Sequence, residues 1–250
     1  MRNKVKILNI GFNPTNYNEL VSYLKNKKNR IGYICFPDLY NIFRANENEK
    51  LYNIYEKSSL TMPDGIPSQF LLRRKGYKDA ITISGYWLCC RLFKTNLSHY
   101  FYGTSPDNIR LMESNIKKEF PNANILGFKS PPFVNEDQIN GNVLIKKELE
   151  EISNLNPDII WIGIGSPKQD MLMHFHDLKK EGTVMIGVGA VFDYFAGTAY
   201  MGPEWLKKIG LRWLFHLIRD PKRYSKRIFY TFNKLIKLIL NGGKIKQKII

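Results

Sequence analysis

Several features that would assign this chain to a common class are scarce or missing from its 250 residues. Cysteine occurs only at Cys35, Cys89 and Cys90, two of them adjacent, so neither a disulfide framework nor zinc-site spacing is present. We expect all three to be reduced core residues. No Asp-x-Asp pair occurs, which removes a common arrangement for holding a divalent metal on a diphosphate. We therefore expect no catalytic metal and no cofactor.

Long apolar runs are also missing. No stretch approaches the ~18–20 apolar residues that a membrane-spanning helix needs. The opening sequence MRNKVKILNIGF lacks the apolar segment of a secretory signal peptide. These absences predict a cytoplasmic protein whose contact with a membrane would be peripheral.

Acidic residues are nearly absent from the last fifty positions, which hold 13 Lys and Arg against 2 Asp and Glu, in a chain of net charge +16. Apolar residues in 205–218 and 224–240 follow helical spacing, so the cations share their helices with a broad apolar stripe. This combination favours an anionic membrane surface. A helix docked on its own domain or on a partner subunit is the alternative. Nucleic acid is disfavoured, because a duplex would leave the stripe unburied.

The remaining sequence alternates strand-like runs with helical patterns, which predicts an α/β fold with a Rossmann-like, mostly parallel sheet flanked by helices. We expect a catalytic domain over 1–205 and a basic, amphipathic helical appendage over 206–250. An exposed apolar appendage would also favour a homo-oligomer in solution. The predicted strands are 5–10, 31–36, 59–62, 99–103, 123–128, 158–164 and 184–188.

The clearest binding motif is IIWIGIGSPKQD at 159–170, a buried strand that runs into a glycine turn and then a helix near Pro167. Such a junction points backbone N–H groups and the positive end of a helix at the space outside the sheet, where phosphate binds well. Gly163 and Gly165 have no third glycine to complete a dinucleotide fingerprint, and the motif is not a Walker loop. Nucleotide or phosphate binding and a plain turn both remain open, as do a crevice-facing and a solvated position for Gln169.

A second junction, IGVGAVFD at 186–193, places Gly187 and Gly189 at the end of the next strand. Two such turns side by side form the crevice in which open α/β sheets bind ligands.

Asp64 lies between Pro63 and Gly65, after a short strand. A carboxylate on a rigid turn at a sheet edge could act as a general base. The pattern by itself slightly favours an ordinary Asp-Gly turn or a helix cap.

Five segments in order, MPDGI (62–66), GIGSPKQD (163–170), IGVGAVFDYFAG (186–197), GLRWLFHL (210–217) and DPKRYSKR (220–227), resemble the successive motifs of the WecG/TagA/CpsF glycosyltransferases, glycosyltransferase family 26. The resemblance spans nearly the whole chain. It implies the Rossmann-like fold called GT-E and the transfer of a sugar, typically N-acetylmannosamine, from a UDP-sugar to a polyprenyl-diphosphate-linked saccharide. The products serve teichoic acid, capsule or related cell-surface polysaccharides.

The resemblance also implies roles for single residues. Asp64 matches the acid proposed as general base, which reverses the preference for an ordinary turn, and Gln169 matches a glutamine implicated in nucleotide binding. The family's glycine turn is matched at Gly163, Gly165 and Pro167. Arg223 and Arg227 match arginines of the family's C-terminal appendage, which would neutralise the departing diphosphate when the appendage meets the membrane. We expect Arg219 to contribute to the same neutralisation.

The chain departs from the family pattern at several positions. Thr82 stands where an arginine is expected, and Trp87 and Arg212 stand where acids are expected. Further departures are His216 in place of a basic residue, Asp170 in place of glutamate, and the segments 35–37 and 201–203. Because several of the replaced groups line the expected pocket, the identity of the donor sugar stays open.

The sequence therefore predicts an inverting, metal-independent glycosyltransferase on the inner face of the cell membrane. Its partners would be a UDP-sugar, a polyprenyl-diphosphate-linked acceptor and an anionic membrane surface. The alternative is a catalytically degenerate, nucleotide-sugar-binding subunit of a polysaccharide assembly complex. A nicotinamide-dependent oxidoreductase is a weaker alternative, because the third glycine is missing.

Overall fold

The residues that the structure describes form eight β-strands, which are divided between a short hairpin and a parallel sheet. The computed structural model describes residues 1–203, 205–206 and 212–240, except for the side chains of Arg212, His216 and Arg223. The strands are β1 (Val5–Ile7), β2 (Ile10–Phe12), β3 (Tyr33–Cys35), β4 (Leu60–Thr61), β5 (His99–Gly103), β6 (Ile125–Lys129), β7 (Ile159–Gly163) and β8 (Val184–Gly187).

The six strands β3 to β8 form one sheet in the order β4-β3-β8-β7-β5-β6, and each neighbouring pair is parallel. Strands β5, β7 and β8 are buried along their whole length, as unbroken apolar strands of parallel sheets usually are. The carboxyl ends of all six strands meet at one side of the sheet, which we call the carboxyl edge. Loops at this edge are where α/β sheets bind ligands.

Helices cover both faces of the sheet, so the predicted α/β fold class is confirmed. They are α1 (Tyr17–Lys25), α2 (Leu39–Ala45), α3 (Glu49–Lys57), α4 (Ile66–Arg74), α5 (Gly85–Leu92), α6 (Pro106–Glu119), α7 (Val143–Asn154), α8 (Lys168–Phe175), α9 (Val191–Ala196), α10 (Arg212–Arg219) and α11 (Pro221–Leu240), with short 3-10 turns at Lys27–Asn29 and Glu136–Gln138.

Two hydrophobic clusters lie on opposite faces of the sheet because side chains alternate along each strand. In β7, Ile160 and Ile162 pack with α2, α3, α7 and α8. Ile159 and Trp161 pack on the other face with α1, α5, α6 and α9. All three cysteines are buried and free, as expected.

Side-chain caps determine where several helices begin. Asp38 accepts a hydrogen bond from the backbone N–H of Asn41 at the start of α2. Asn48 caps α3 in the same way, so the polar stretch after β3 divides into two helices near Asn46.

The strand predicted over 5–10 is wrong. Leu8 and Asn9 have φ of +48° and +69°, and the chain reverses there into the antiparallel hairpin of β1 and β2. Two successive positive φ values form the tight turn that suits a two-residue hairpin. The hairpin packs on one face of the molecule and contributes no strand to the parallel sheet.

The basic C-terminal segment forms helices α10 and α11. Part of the helix predicted over 205–218 (207–211) lies outside the described residues, and so do 241–250. Helix α11 packs against α2, where Tyr40 and Tyr230 meet edge to face with ring centroids 5.3 Å apart. Phe229, Ile236 and Ile239 of the same helix are more than half exposed. The helix therefore lies on its own domain along one side and presents apolar residues along another.

Candidate functional site

Glycines allow the backbones at the centre of the carboxyl edge to lie unusually close together. A Cβ atom on Gly163 would lie 2.3 Å from the Phe192 ring, and one on Gly103 would lie 2.6 Å from the backbone of Gly163. Real Cβ atoms do not tolerate such distances. Gly163 therefore has a packing role at this edge.

The turns that follow β7 and β8 lie side by side, as predicted from their sequences. Gly165 has φ +84° and Gly189 has φ +54°, both in the left-handed region that glycine adopts without strain. Gly165 also has open space where a Cβ would be. Helix α8 begins directly after Pro167, without a side-chain cap at its N-terminus.

Gln169 lies against the second turn. Its side chain is within 3.4 Å of the Cβ positions of both Gly187 and Gly189, and the residue is 4% exposed. Its Oε1 is buried and has no hydrogen-bond partner among the described residues. A buried acceptor without a partner is costly. Gln169 is therefore buried against the turn after β8, and the solvated alternative is wrong.

Asp64 lies on the turn that joins β4 to α4, at the same edge. The residue is half-buried, and Gly65, with φ +84°, begins α4. Thr82 Oγ1 accepts a hydrogen bond from the backbone N–H of Gly65 at 2.8 Å and donates one to the carbonyl of Pro63 at 3.3 Å. These bonds hold the turn from both sides of Asp64.

The segment 82–85 connects the Asp64 turn with the turn after β8. Ile83 N–H donates to the carbonyl of Pro63 at 3.2 Å. Two residues later, the Cβ position of Gly85 lies 2.9 Å from Val188. The structure thus places Asp64 at the edge that carries both glycine turns, with one short segment in contact with each side.

Four polar side chains connect the loop after β3 with the turn after β7, and we call them the polar relay: Asp38, Asn41, Ser166 and Asp170. Asn41 Nδ2 donates to Asp38 Oδ1 at 2.8 Å and to Ser166 Oγ at 3.1 Å. Ser166 Oγ in turn donates to Asp170 Oδ2. The relay therefore crosses from β3 to β7, past the intervening strand β8.

Burial raises the pKa of Asp170 to about 6, and the nearby carboxylate of Asp38 acts in the same direction. Hydrogen bonds from Ser166, Cys35 and Tyr55 oppose this rise because they stabilise the ionised form. Asp170 is fully buried, and its Oδ1 has no partner among the described residues.

The three arginines predicted to face the diphosphate differ in where the structure places them. Arg227 reaches the carboxyl edge: its Nη2 donates to Asp38 Oδ2 at 2.7 Å, and its guanidinium lies over the ring of Tyr40, 4.8 Å from the centroid. Arg219 lies exposed on α10 over the ring of Phe215, and no described contact brings it to the edge. The side chain of Arg223 lies outside the described residues, as do those of Arg212 and His216.

Sequence reasoning missed the polar relay and the role of Thr82. In the sequence Thr82 stands out only as a departure from the family pattern, whereas in the structure its hydrogen bonds organise the Asp64 turn. Trp87, the other departure near the turn, is 41% exposed on α5. A signal for the relay was present in Asp38, which follows a strand and precedes a helix. Its partners are remote in sequence, so no local pattern could have named them.

Over the ranges that the structure describes, no three His, Cys, Asp or Glu side chains come together in a way that could hold a metal ion. Within those same ranges, no helix combines the length and the apolar character needed to cross a membrane.

Several known proteins are similar to this chain over most of their length. The chain is 26% identical over 231 residues to the N-acetylglucosaminyldiphosphoundecaprenol N-acetyl-beta-D-mannosaminyltransferase of Bacillus subtilis, a match that covers 89% of this chain and 86% of the relative. Proteins with the same name from Bacillus spizizenii and Staphylococcus aureus strain MW2 are 23% and 22% identical, with 91% and 89% of this chain and 85% and 87% of the relatives covered.

A family model agrees with these matches and covers more of the chain. The model described as the glycosyl transferase WecG/TagA/CpsF family matches residues 5–248, which includes the Asp64 turn, both glycine turns and the basic C-terminal helices. The chain therefore belongs to the WecG/TagA/CpsF family and is a glycosyltransferase.

Proposed function

We propose that this chain transfers N-acetylmannosamine, or a related hexose, from a UDP-sugar to a saccharide linked to a polyprenyl diphosphate. The relatives are named for the transfer of an N-acetyl-β-D-mannosaminyl group to N-acetylglucosaminyldiphosphoundecaprenol. Their names support the transferred sugar and the lipid-linked acceptor. A role in teichoic acid or another cell-surface polysaccharide follows from the same acceptor.

The observation that carries the proposal is the environment of Gln169. Its buried Oε1 lacks a protein partner in the described part of the chain, although the side chain is held against the two glycines of the turn after β8. An acceptor of this kind suits a ligand N–H or O–H, such as the imide of uracil or a ribose hydroxyl. Asn41 Oδ1 and Asp170 Oδ1, on either side of Ser166, are also buried and have no hydrogen-bond partner among the residues that the structure describes.

The diphosphate of the donor would lie at the glycine turn before α8. Backbone N–H groups at Gly165 and the N-terminal end of the helix favour negative charge there. Arg227 supports this placement from the other side, since its guanidinium reaches the same edge. A guanidinium has five N–H donors, so the bond to Asp38 does not exhaust its capacity for phosphate oxygens. Arg223 and Arg219 remain proposed partners of the departing diphosphate.

In the proposed reaction, the Asp64 carboxylate takes the proton from the acceptor hydroxyl. The hydroxyl oxygen forms a bond to the anomeric carbon while the bond from that carbon to the β-phosphate oxygen breaks, and the electron pair leaves with UDP. Attack opposite the leaving group inverts the anomeric configuration. General bases contribute roughly 10²–10⁴-fold to such reactions, and no metal ion takes part in this scheme.

Contact with an anionic membrane, on its cytoplasmic face, would bring the lipid-linked acceptor to this edge. The exposed apolar residues of α11 and the basic character of the segment support peripheral binding. Self-association through the same apolar surface is proposed for the protein in the absence of a membrane.

Asp64→Asn tests the base assignment. The substitution keeps the size of the side chain, and we expect the variant to fold normally and to lose at least about 100-fold in transfer rate. The assay is transfer from a panel of UDP-sugars to a short-chain polyprenyl-diphosphate acceptor. Asp107→Asn is the matched control, because Asp107 is an exposed acid at the same edge that pairs with Arg110.

Wild-type turnover by Asp64→Asn would refute the role of Asp64. Binding of UDP-sugars by the wild-type protein without transfer to any acceptor would instead favour the catalytically degenerate binding subunit.

A further inference from the structure

Helix α11 is attached to its own domain by charged and aromatic contacts with α2 and the residues that follow it. Arg227 pairs with Asp38 and lies over Tyr40. One turn further along, Tyr230 donates a hydrogen bond to Glu47 Oε2 at 2.6 Å, and Lys234 also pairs with Glu47. These contacts define where the helix is seated relative to the carboxyl edge.

Asp38 is the residue that these contacts share with the polar relay. One carboxylate oxygen, Oδ2, accepts from Arg227 on α11. The other, Oδ1, accepts from both the backbone N–H and the side-chain amide of Asn41. Because one oxygen binds a residue of α11 and the other binds a residue of α2, the position of the carboxylate depends on both helices.

The relay continues from Asn41 into the turn that precedes α8. Asn41 contacts Ser166, and Ser166 donates to Asp170. Asp170 also accepts from Tyr55 at 3.2 Å and is adjacent in sequence to Gln169. A continuous path of hydrogen bonds therefore runs from helix α11 to Asp170, the sequence neighbour of Gln169.

We propose that Asp38 is a positioning residue that couples the seating of helix α11 on its domain to the shape of the turn before α8. As a consequence, nucleotide binding and the docking of α11 favour each other. The nucleotide part of this inference rests on the proposed function. Coupling between two sites is reciprocal: a ligand that stabilises the turn stabilises the seated helix by the same factor. Asp38 acts through Arg227 and Asn41, and it does not need to touch the substrate.

The substitution Asp38→Asn isolates this role. Asparagine caps helices as well as aspartate does, so α2 keeps its N-terminal hydrogen bond while the charge opposite Arg227 is removed. Lys226→Gln is the matched control, because Lys226 is an exposed cation next to Arg227 on the same helix.

The first measurement is amide hydrogen exchange on the full-length protein without ligand. We expect Asp38→Asn to speed exchange about tenfold both in 221–234 and in 164–170, and we expect Lys226→Gln to change neither segment. Faster exchange in 221–234 alone, or in neither segment, would contradict the proposed coupling. This outcome does not depend on whether the protein is a UDP-sugar transferase.

The second measurement is the affinity for UDP, by calorimetry, of the wild type, Asp38→Asn, Arg227→Gln and the double variant. We expect each single variant to bind about tenfold more weakly and the double variant to bind no more weakly than Arg227→Gln. Wild-type affinity for UDP in Asp38→Glu, which keeps the negative charge, would support positioning by charge. Additive losses, or wild-type affinity in Asp38→Asn, would contradict the proposal. Absence of UDP binding by the wild type would instead count against the proposed function.

Discussion

At the scale of single residues, the absence of a side chain is as important at this edge as the presence of one. Gly163 lies where any Cβ would meet the Phe192 ring, and Gly187 lies where a Cβ would displace Met173 and Gln169. The two positions let α9 pack closely against β7 and α8 pack closely against β8. The glycines predicted as ligand-binding residues therefore also have a packing role that their sequence motif does not reveal.

Gly163→Ala should destabilise the fold by about 3 kcal/mol, because the added methyl group enters a well-packed region. Gly141→Ala is the control: its φ is +76° but nothing lies within 4 Å of the Cβ position, so only backbone strain of about 1 kcal/mol is expected. Urea unfolding followed by circular dichroism measures both. Equal losses in the two variants would show that crowding against Phe192 is relieved at no cost.

At the scale of elements, helix α11 has two sides with different chemistry. The side facing α2 carries Arg227, Tyr230 and Lys234, which all have partners on the domain. Another side carries Phe229, Ile236 and Ile239, which are 71%, 54% and 75% exposed. Docking on the domain and binding to a membrane are therefore compatible, although they were alternatives when only the sequence was considered.

Replacing Phe229, Ile236 and Ile239 together by serine should abolish binding to anionic vesicles, because about 0.8 kcal/mol is lost for each buried CH₂ group that no longer inserts. Leu155→Ser is the control, since Leu155 is 53% exposed on a different helix end. Vesicle sedimentation with phosphatidylglycerol-rich liposomes measures the bound fraction. Unchanged vesicle binding by the triple variant would show that these three residues of α11 do not form the membrane contact.

At the scale of the whole molecule, a buried carboxyl group links stability to pH. The pKa of Asp170 is raised to about 6, chiefly by burial, whereas an unfolded chain has an aspartate pKa of about 3.9. Between these values the folded protein binds more protons than the unfolded one. The stabilisation is fully present below about pH 4 and is lost as the pH rises through about 6.

We therefore expect the Asp170 contribution to the free energy of unfolding to fall by about 1 kcal/mol between pH 5 and pH 7.5. Asp170→Asn should lack this component, because its side chain does not titrate. Urea unfolding of both proteins at the two pH values gives the comparison. Groups that face Asp170, including Asp38, Cys35 and Tyr55, are present in both proteins. An identical pH dependence in the variant would contradict the raised pKa.

Much of the fold could be predicted because its signals are local. The buried strand at β7 is visible in IIWIG, the break between α2 and α3 in its polar residues, and the start of α6 in Ser105-Pro106. The hairpin at Leu8 and Asn9 was missed because Leu8 is not a usual turn former. Asparagine is common in turns, but tertiary packing decides that Leu8 also adopts a positive φ.

Local sequence was enough to predict the alternation of strands and helices after the hairpin, the two glycine turns, the Asp-Gly turn of Asp64 and the basic, amphipathic character of the C-terminal segment. These features depend on residues close together along the chain. Three contacts depend on tertiary packing: Gln169 lies against Gly187 and Gly189, Thr82 holds the Asp64 turn, and Arg227 pairs with Asp38. Arg227 and Asp38 are 189 positions apart, and a contact at such a separation is set by how the sheet and helices pack, for which no local pattern exists.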